Sequence, residues 1–314
     1  MTETAGVAIV GLGAAGRQHL QALADCSAGT VRAVCDSDKL LAKRAAERTP
    51  ATRALDWDDV LAAPDIDVVS LCTPPESHHM FAAAALSAGK AVLVEKPPVR
   101  TEAELDALLV LADATGRPAG VMLQHRFRLP DTVRDGVWSG RAIGVIEVVR
   151  HRPAEHYARA PWRLDPATSA GGLFPHLAVH YADLACQMLG VPVEVTGSVD
   201  CETVPGVDSR LALSIRFDSG ATATLIGSTG VDERGERLAV YDDGRLLTVH
   251  DGVFTLRRHG GHETVPAAPT ATLRTAVYAE FCHAVVTGSA PQRTALAHSR
   301  GVVRMLEHVG RLAR

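Results

Sequence analysis

The sequence is short of several things, and each shortage removes a class of explanation. It has no excess of basic charge: 32 Lys and Arg stand against 36 Asp and Glu, for a formal net charge of −4. Nothing therefore argues for a nucleic-acid partner, and the isolated pair Arg257-Arg258, on an expected strand, reads as solvated rather than as a phosphate patch. No apolar run approaches the roughly 18 residues that mark a membrane span, so no membrane association is expected. Met1 to Gly6 lacks a basic segment and leads straight into an apolar run, so no signal peptide is expected. The six cysteines, Cys26, Cys35, Cys72, Cys186, Cys201 and Cys282, include no C-x-x-C pair. That spacing points away from a disulfide framework and toward a reduced, cytoplasmic protein. Cys35 and Cys72 fall in apolar strands, where cysteine behaves as a small hydrophobe, and none of the six stands out as a nucleophile. Internal repeats and low-complexity segments are also missing.

What is present suits two domains. The chain has 314 residues, 46% hydrophobic and 22% charged, which is enough apolar material for two cores. The first half alternates strands and helices. Gly6 to Val10 is a short apolar run, followed by Gly11-Leu12-Gly13-Ala14-Ala15-Gly16 and a helical pattern through Ala24. In such a strand-turn-helix, Gly11 permits the tight turn, Gly13 lets the backbone approach a pyrophosphate, and Gly16 lets helix pack on strand. The helix then offers unpaired N–H groups and its positive dipole end to phosphate. The next strand, Val31 to Cys35, ends on Asp36, 20 residues after Gly16, where a carboxylate meets ribose hydroxyls. Asp36 would repel a 2′-phosphate, which favours NAD; Lys39 and Arg44 leave a smaller case for NADP.

Helices are expected over Lys39–Arg48, Val60–Ala63, His78–Ala88 with Ser77 as cap, and Glu102–Ala114 with Thr101 as cap. Val68–Cys72, Ala91–Val94 and Ala119–Leu123 read as further buried strands. This alternation predicts a doubly wound parallel sheet over residues 1–122. The run Val92-Leu93-Val94-Glu95-Lys96-Pro97-Pro98 is central: a buried strand ends on a carboxylate and a lysine, where ligands of parallel sheets bind. The prolines hold Lys96 in place. His78, beside His79, reads as a structural or cofactor-edge histidine rather than a metal ligand.

Residues 123–314 follow another rhythm. Strands are expected at Ile146–Arg150, Val193–Val199, Arg210–Phe217, Ala221–Ser228, Arg237–Tyr241, Leu246–His250 and Val253–Arg257. Leu211, Leu213, Ile215 and Phe217 alternate with smaller or polar residues, so one sheet face is buried. This is an α+β domain with a mostly antiparallel, open-faced sheet whose other face can serve self-association. Gly260-Gly261 and Pro266–Pro269 mark a loop, and Ala276 to Arg314 is helical with a break near Gly288 and Pro291. Between these strands, Pro175 opens a helix on which His176, His180 and Asp183 share a face at helical spacing, behind the Gly171-Gly172 hinge. That face can be read as a metal site, as a general acid/base His180 oriented by Asp183, or as a polar helix face at a domain interface. The acid/base reading is preferred, because hydride transfer supported by lysine and histidine needs no metal.

Taken together and in order, these motifs resemble the Gfo/Idh/MocA family, named after glucose–fructose oxidoreductase, inositol dehydrogenase and a rhizopine-catabolism protein. The resemblance rests on the Gly11–Gly16 loop, Thr73-Pro74-Pro75 with His78, Glu95-Lys96-Pro97, Arg126, Trp162-Arg163 and the Gly-Gly…His180…Asp183 helix, and it covers nearly the whole chain. It implies a Rossmann domain followed by an α/β domain whose open sheet makes homodimers or homotetramers. It also implies an NAD(P)-dependent oxidoreductase acting on a CH–OH or carbonyl group of a sugar, cyclitol or nucleotide-linked sugar. Dinucleotide contacts would come from Gly11, Leu12, Gly13, Ala14, Ala15, Gly16, Asp36, Ser37, Cys72, Thr73, Pro74, His78, Glu95, Lys96 and Gln124. Lys96 and His180 fall on the family's catalytic lysine and histidine, with an ammonium from the first half and an imidazole from the second converging over the nicotinamide. Substrate contacts would come from Arg126, Tyr157, Trp162, Arg163, His176 and Asp183. The sequence departs from the family at His176, where many relatives carry aspartate. Losing that anion would lower the Lys96 pKa and favour Lys96 as the base. Two rival readings remain: a catalytically silent dinucleotide-binding protein, and an NAD-retaining hydrolase or lyase that uses transient oxidation.

Overall fold

The structure, a computed structural model, describes residues 4–50, 52–134, 136–158, 160–202 and 204–313. Residues 1–3, expected ahead of the first strand, and Arg314, expected to end the last helix, lie outside the described residues. The chain forms two compact units. One holds the residues up to Val99, Ala103–Gln124 and Pro269–His298; the other holds Arg100–Glu102, His125–Ala268 and the residues from Ser299 onward.

The first unit is built on a parallel sheet. Its elements are β1 (Ala5–Val10), α1 (Ala14–Ala24), β2 (Gly29–Cys35), α2 (Lys39–Arg48), β3 (Arg53–Ala54), α3 (Trp57–Ala62), β4 (Val68–Leu71), α4 (His78–Ser87), β5 (Ala91–Val94), α5 (Glu102–Thr115) and β6 (Ala119–Val121). The strands lie in the order β3-β2-β1-β4-β5-β6, all parallel. β1, β4 and β5 are buried at every residue, which is why they read as unbroken apolar runs rather than alternating ones. The order reverses between β1 and β4, and the loops beyond that point are where open α/β sheets place ligands. α2 is capped by Asp38: its Oδ1 accepts the N–H groups of Leu40 and Leu41, both at 3.0 Å. α4 is not. The Ser77 hydroxyl oxygen lies 2.8 Å from both Thr73 Oγ1 and the Pro74 carbonyl, so it pins the preceding turn instead of capping the helix.

The second unit carries α6 (Asp131–Arg134), β7 (Ile143–Arg150), α7 (Ala154–Ala158), α8 (Pro166–Ser169), α9 (Val179–Leu189), and strands β8 (Pro192–Asp200), β9 (Arg210–Phe217), β10 (Thr222–Ser228), β11 (Arg234–Asp242), β12 (Arg245–His250), β13 (Val253–Arg258) and β14 (Gly261–Val265). Their order is β14-β13-β12-β11-β7-β10-β9-β8, antiparallel throughout except for the parallel pair β7 and β10. In β9, Leu211, Leu213, Ile215 and Phe217 are buried while Arg210, Ala212, Ser214 and Arg216 are exposed, the expected one-faced burial. β14 was expected to be loop. It is an edge strand whose residues are almost all exposed, so pairing with β13 holds it without any apolar alternation.

The C-terminal helical stretch is two helices: α10 (Thr270–Thr287), beginning six residues before the expected Ala276, and α11 (Arg300–Leu312). α10 packs on α1, β1 and β2 in the first unit; α11 packs on α9 and β8 in the second. Among the described residues, no helix is long and apolar enough to cross a membrane.

Candidate active site

In the first unit, three loops that follow adjacent strands are brought side by side. The Gly11 N–H donates to the Cys35 carbonyl, that of Cys72 to Val10, and that of Glu95 to Leu71, at 2.8, 2.7 and 2.9 Å. The glycine loop, Cys72-Thr73-Pro74 and Glu95-Lys96 are thereby stacked along one sheet edge. Gly11 has φ +89°, and a Cβ there would lie 2.8 Å from the Cys72 backbone; one on Gly16 would lie 2.0 Å from the Gly11 carbonyl. Both glycines are therefore fixed by close backbone approach. Gly13 is different. A Cβ there would meet nothing within 4 Å, and no side chain caps the helix that starts beside it. The start of α1 is thus an open set of N–H donors with no acidic residue in its first turn, the arrangement that accepts a pyrophosphate.

Asp36 closes β2, and its Oδ2 accepts the Leu12 N–H at 2.7 Å while Oδ1 accepts the Asp38 N–H at 2.9 Å. A carboxylate offers about four acceptor positions, so ribose hydroxyls can still be bound there. Ser37 lies beside it with its hydroxyl 3.4 Å from Oδ1. Gln124 is buried, and its Oε1 has no hydrogen-bond partner among the described residues. An orphaned buried acceptor at the end of β6 fits a site completed by a bound donor. The residues of this unit therefore fit a dinucleotide.

His78 is fully buried, with Nδ1 2.8 Å from the Pro97 carbonyl and Nε2 2.8 Å from that of Thr73. Burial lowers its pKa against the pull of those two carbonyls, and the ring bridges the Thr73 loop and the loop after Lys96. Lys96 itself is half-buried at the end of β5, and its peptide N–H is held by Glu95 Oε2 at 2.9 Å.

In the second unit, the helix that carries the histidines does not start as an α-helix. Phe174–Ala178 forms a π-turn, with the Val179 N–H bonded to the Phe174 carbonyl five residues back. Such turns collect at functional sites, and they break the 3.6-residue projection on which a shared face was expected. His176 sits inside the π-turn and His180 after it; both are half-buried, whereas Asp183 is 1% exposed. Asp183 accepts from Arg126 at both oxygens, Nε at 2.8 Å and Nη2 at 2.7 Å, and Gln187 Nε2 lies 3.2 Å from Oδ1. Arg126, 3% exposed, also reaches Ser299 at 3.2 Å. These two residues, expected at the substrate, form a buried ion pair with each other.

Of the other expected residues, Trp162 is the one placed against a histidine of this helix. The indole of Trp162 meets His176 edge-on at 5.8 Å, and the Arg163 guanidinium lies 5.2 Å from the Trp162 ring. Tyr157 is buried, and burial raises its pKa although a Thr229 hydrogen bond opposes this. Two residues were not foreseen. His125 stacks on His180 with centroids 4.4 Å apart and planes 30° apart. Asp208, buried, accepts the N–H groups of Gly172 and Phe174, the latter at 2.6 Å, and its carbonyl accepts that of Leu173 at 2.7 Å. The Gly171-Gly172 segment, expected to act as a hinge, is therefore tied down. Neither residue had a local signal, because their partners lie 55 and 36 residues away in sequence. Among the described residues, no group of three or more His, Cys, Asp or Glu could hold a metal ion.

Comparison with known proteins agrees with this architecture. Residues 5–123 match the oxidoreductase family with an NAD-binding Rossmann fold, Gfo/Idh/MocA, and residues 132–246 match the Gfo/Idh/MocA C-terminal domain. The chain is 35% identical over 45% of its length to an uncharacterized oxidoreductase, YhhX, of Escherichia coli, of which it spans 40%. It is 28% identical to 1,5-anhydro-D-fructose reductase of Ensifer adhaerens over 74% of this chain and 72% of that protein. The structure of levoglucosan dehydrogenase with NADH and levoglucosan superposes with a TM-score of 0.87 at 18% identity, covering 99% of this chain and 97% of that one. With both family domains present in order, on a Rossmann sheet followed by an open, mostly antiparallel one, the chain belongs to the Gfo/Idh/MocA family of oxidoreductases.

Proposed function

We propose that this protein is an NAD-dependent dehydrogenase or reductase acting on a secondary alcohol or ketone of a sugar, cyclitol or nucleotide-linked sugar. The observation that carries the reading is the stacking of the glycine loop, the Cys72–Pro74 loop and Glu95-Lys96 along one sheet edge. Residues 1–122 form the dinucleotide domain in this reading, and residues 123–314 the substrate and oligomerisation domain. Gly11–Gly16 with Asp36, Ser37, Cys72, Thr73, Pro74, His78 and Gln124 would hold the dinucleotide, whose nicotinamide when bound supplies the hydride acceptor or donor. Asp36 selects NAD, because its carboxylate repels a 2′-phosphate.

Removing hydride from a carbinol carbon requires its hydroxyl proton to leave, so a base and a donor to the developing oxyanion are needed. His180 takes that proton, and the Lys96 ammonium binds the oxygen as its charge grows; in reduction the same groups return the proton. Trp162, Arg163 and Tyr157 contact the sugar. The sugar class draws support from the relative that reduces 1,5-anhydro-D-fructose. Ile143, Val193, Ile226 and Tyr241 are exposed on the open sheet, which supports homodimers or homotetramers formed through it.

The test is NADH and NADPH absorbance at 340 nm against a panel of sugars, keto-sugars and cyclitols. A substrate-dependent change with NAD(H) is expected, falling about 10²–10⁴-fold in Lys96→Ala. No change with any substrate points to a silent binding protein, and product without net NADH change points to an NAD-retaining hydrolase or lyase. Full turnover by Lys96→Ala would remove the lysine from the mechanism.

A further inference from the structure

Behind the strand end that carries Lys96, the first unit buries a polar cluster that the chemistry above does not use. His19, on α1, is 0% exposed. Its Nε2 lies 2.8 Å from Glu95 Oε1, and its Nδ1 lies 2.7 Å from the Tyr278 hydroxyl and 3.2 Å from Ser70 Oγ. The Tyr278 and Ser70 oxygens are themselves 2.7 Å apart. These contacts form one connected set: His19 Nε2–H donates to Glu95, Nδ1 is paired with the Tyr278 hydroxyl, and that hydroxyl is paired in turn with Ser70. Glu95 then spends its other oxygen, Oε2, on the peptide N–H of Lys96. The chain of contacts runs from the helix that opens at the glycine loop to the backbone of the lysine.

Packing alone does not call for such a cluster. Apolar side chains of the same volume would fill this space without desolvating a carboxylate, and a buried polar network is favourable only when every member is satisfied. Burial pushes the Glu95 carboxyl up, but the His19 hydrogen bond and the charges of His19, Lys96 and Arg274 outweigh it and bring it to about 2. The groups facing Glu95 are His19 from α1, Cys72 from the loop after β4, His78 from α4, Lys96 from its own strand end, and Arg274 and Tyr278 from α10.

We propose that His19 is a positioning residue for the reaction: it holds the Glu95 carboxylate in place, and through Glu95 it sets the backbone of Lys96 relative to the phosphate-binding helix. The inference rests on the reading of Lys96 as catalytic. It assigns His19 no contact with substrate or dinucleotide. Its effect should therefore fall on turnover and on the mobility of Lys96 rather than on dinucleotide affinity.

Three variants of the full chain test it. His19→Leu keeps bulk without a donor, His19→Gln restores one donor, and Glu95→Gln removes the charge. In His19→Leu, kcat is expected to fall about tenfold or more while the NADH Kd, read by fluorescence, stays within about twofold. Amide exchange at Lys96, measured without dinucleotide, should quicken in His19→Leu and Glu95→Gln and recover in His19→Gln. The pH profile gives a third readout. Freed of His19, the buried Glu95 carboxyl rises and protonates as pH falls, so His19→Leu gains an acid limb in kcat/KM that wild type lacks there. Glu95→Gln is slow at every pH without that limb. If His19→Leu lowers only Tm, with turnover, exchange and pH profile unchanged, the proposal is overturned; so it is if His19→Gln behaves like His19→Leu. Should His19→Leu fail to fold, Glu95→Gln and His19→Gln still decide through exchange and pH profile. An active Lys96→Ala overturns the lysine reading, whereas an inactive Lys96→Ala beside a wild-type-like His19→Leu overturns only this inference.

Discussion

Each unit buries a carboxylate that organises its functional segment, and the two are held in opposite ways. Glu95, in the first, faces a ring donor and nearby cations, and its pKa falls to about 2 against the pull of burial. Asp208, in the second, is as deeply buried but is met by the peptide N–H groups of Gly172 and Phe174, and burial leaves its pKa raised. Amide donors satisfy a carboxylate's lone pairs without supplying a compensating charge, whereas an ion pair does both. The first unit keeps a permanent anion behind Lys96, and the second uses its carboxylate to pin the start of the helix bearing His176 and His180. Geometry is the product in one case and charge in the other.

The largest effect expected from this contrast lies in a third buried carboxylate, Asp183, which has a full cationic partner. Arg126→Ala strands it and should cost about 3–5 kcal/mol in chemical denaturation. Arg126→Met combined with Asp183→Leu should cost far less, because no charge is then left uncompensated. Equal losses in the two variants would mean that packing, not charge, holds this pair.

Next come Glu95 and Asp208, whose pH dependence should carry opposite signs. Glu95 has a folded pKa lowered from 4.5 to about 2, so its contribution is complete above 4.5 and is lost as pH falls toward 2. Glu95→Gln should cost about 3 kcal/mol at pH 7, shrinking through that window. Asp208 has a folded pKa above 3.8, so its contribution is complete below 3.8 and is lost as pH rises through the folded value. The deficit of Asp208→Asn should therefore shrink as pH rises, where that of Glu95→Gln grows. Parallel trends in Tm against pH would refute the distinction.

The same contrast explains what could be read from the sequence. The glycine loop, Asp36 and the Glu95-Lys96 strand end were legible because a parallel sheet binds ligands at strand ends, where a few consecutive residues carry the geometry. β9 was legible because its alternation is enforced by one buried face. What could not be read depended on distant partners or on a missing local constraint. His19 needs Tyr278, 259 residues away, and Arg126 needs Asp183, 57 residues away. The π-turn at Phe174–Ala178 shifts the helical projection without any residue that announces it. β14 is held by backbone pairing to β13 and needs no apolar pattern, and the polar first turns of α10 hide its start.

The smallest effect separates two helix starts. Asp38 and Ser77 both stand in the cap position of a helix, yet only Asp38 accepts peptide N–H groups from the first turn. Asp38→Ala should cost about 1 kcal/mol, the usual loss for removing a cap. Ser77→Ala removes no cap; it frees the Thr73-Pro74 turn that flanks the glycine loop. It should therefore cost less in Tm than Asp38→Ala and show itself as weaker NADH binding, which Asp38→Ala should not. If the two variants lose equal stability and bind NADH alike, the Ser77 hydroxyl serves the helix after all, and the turn before α4 is held by His78 alone.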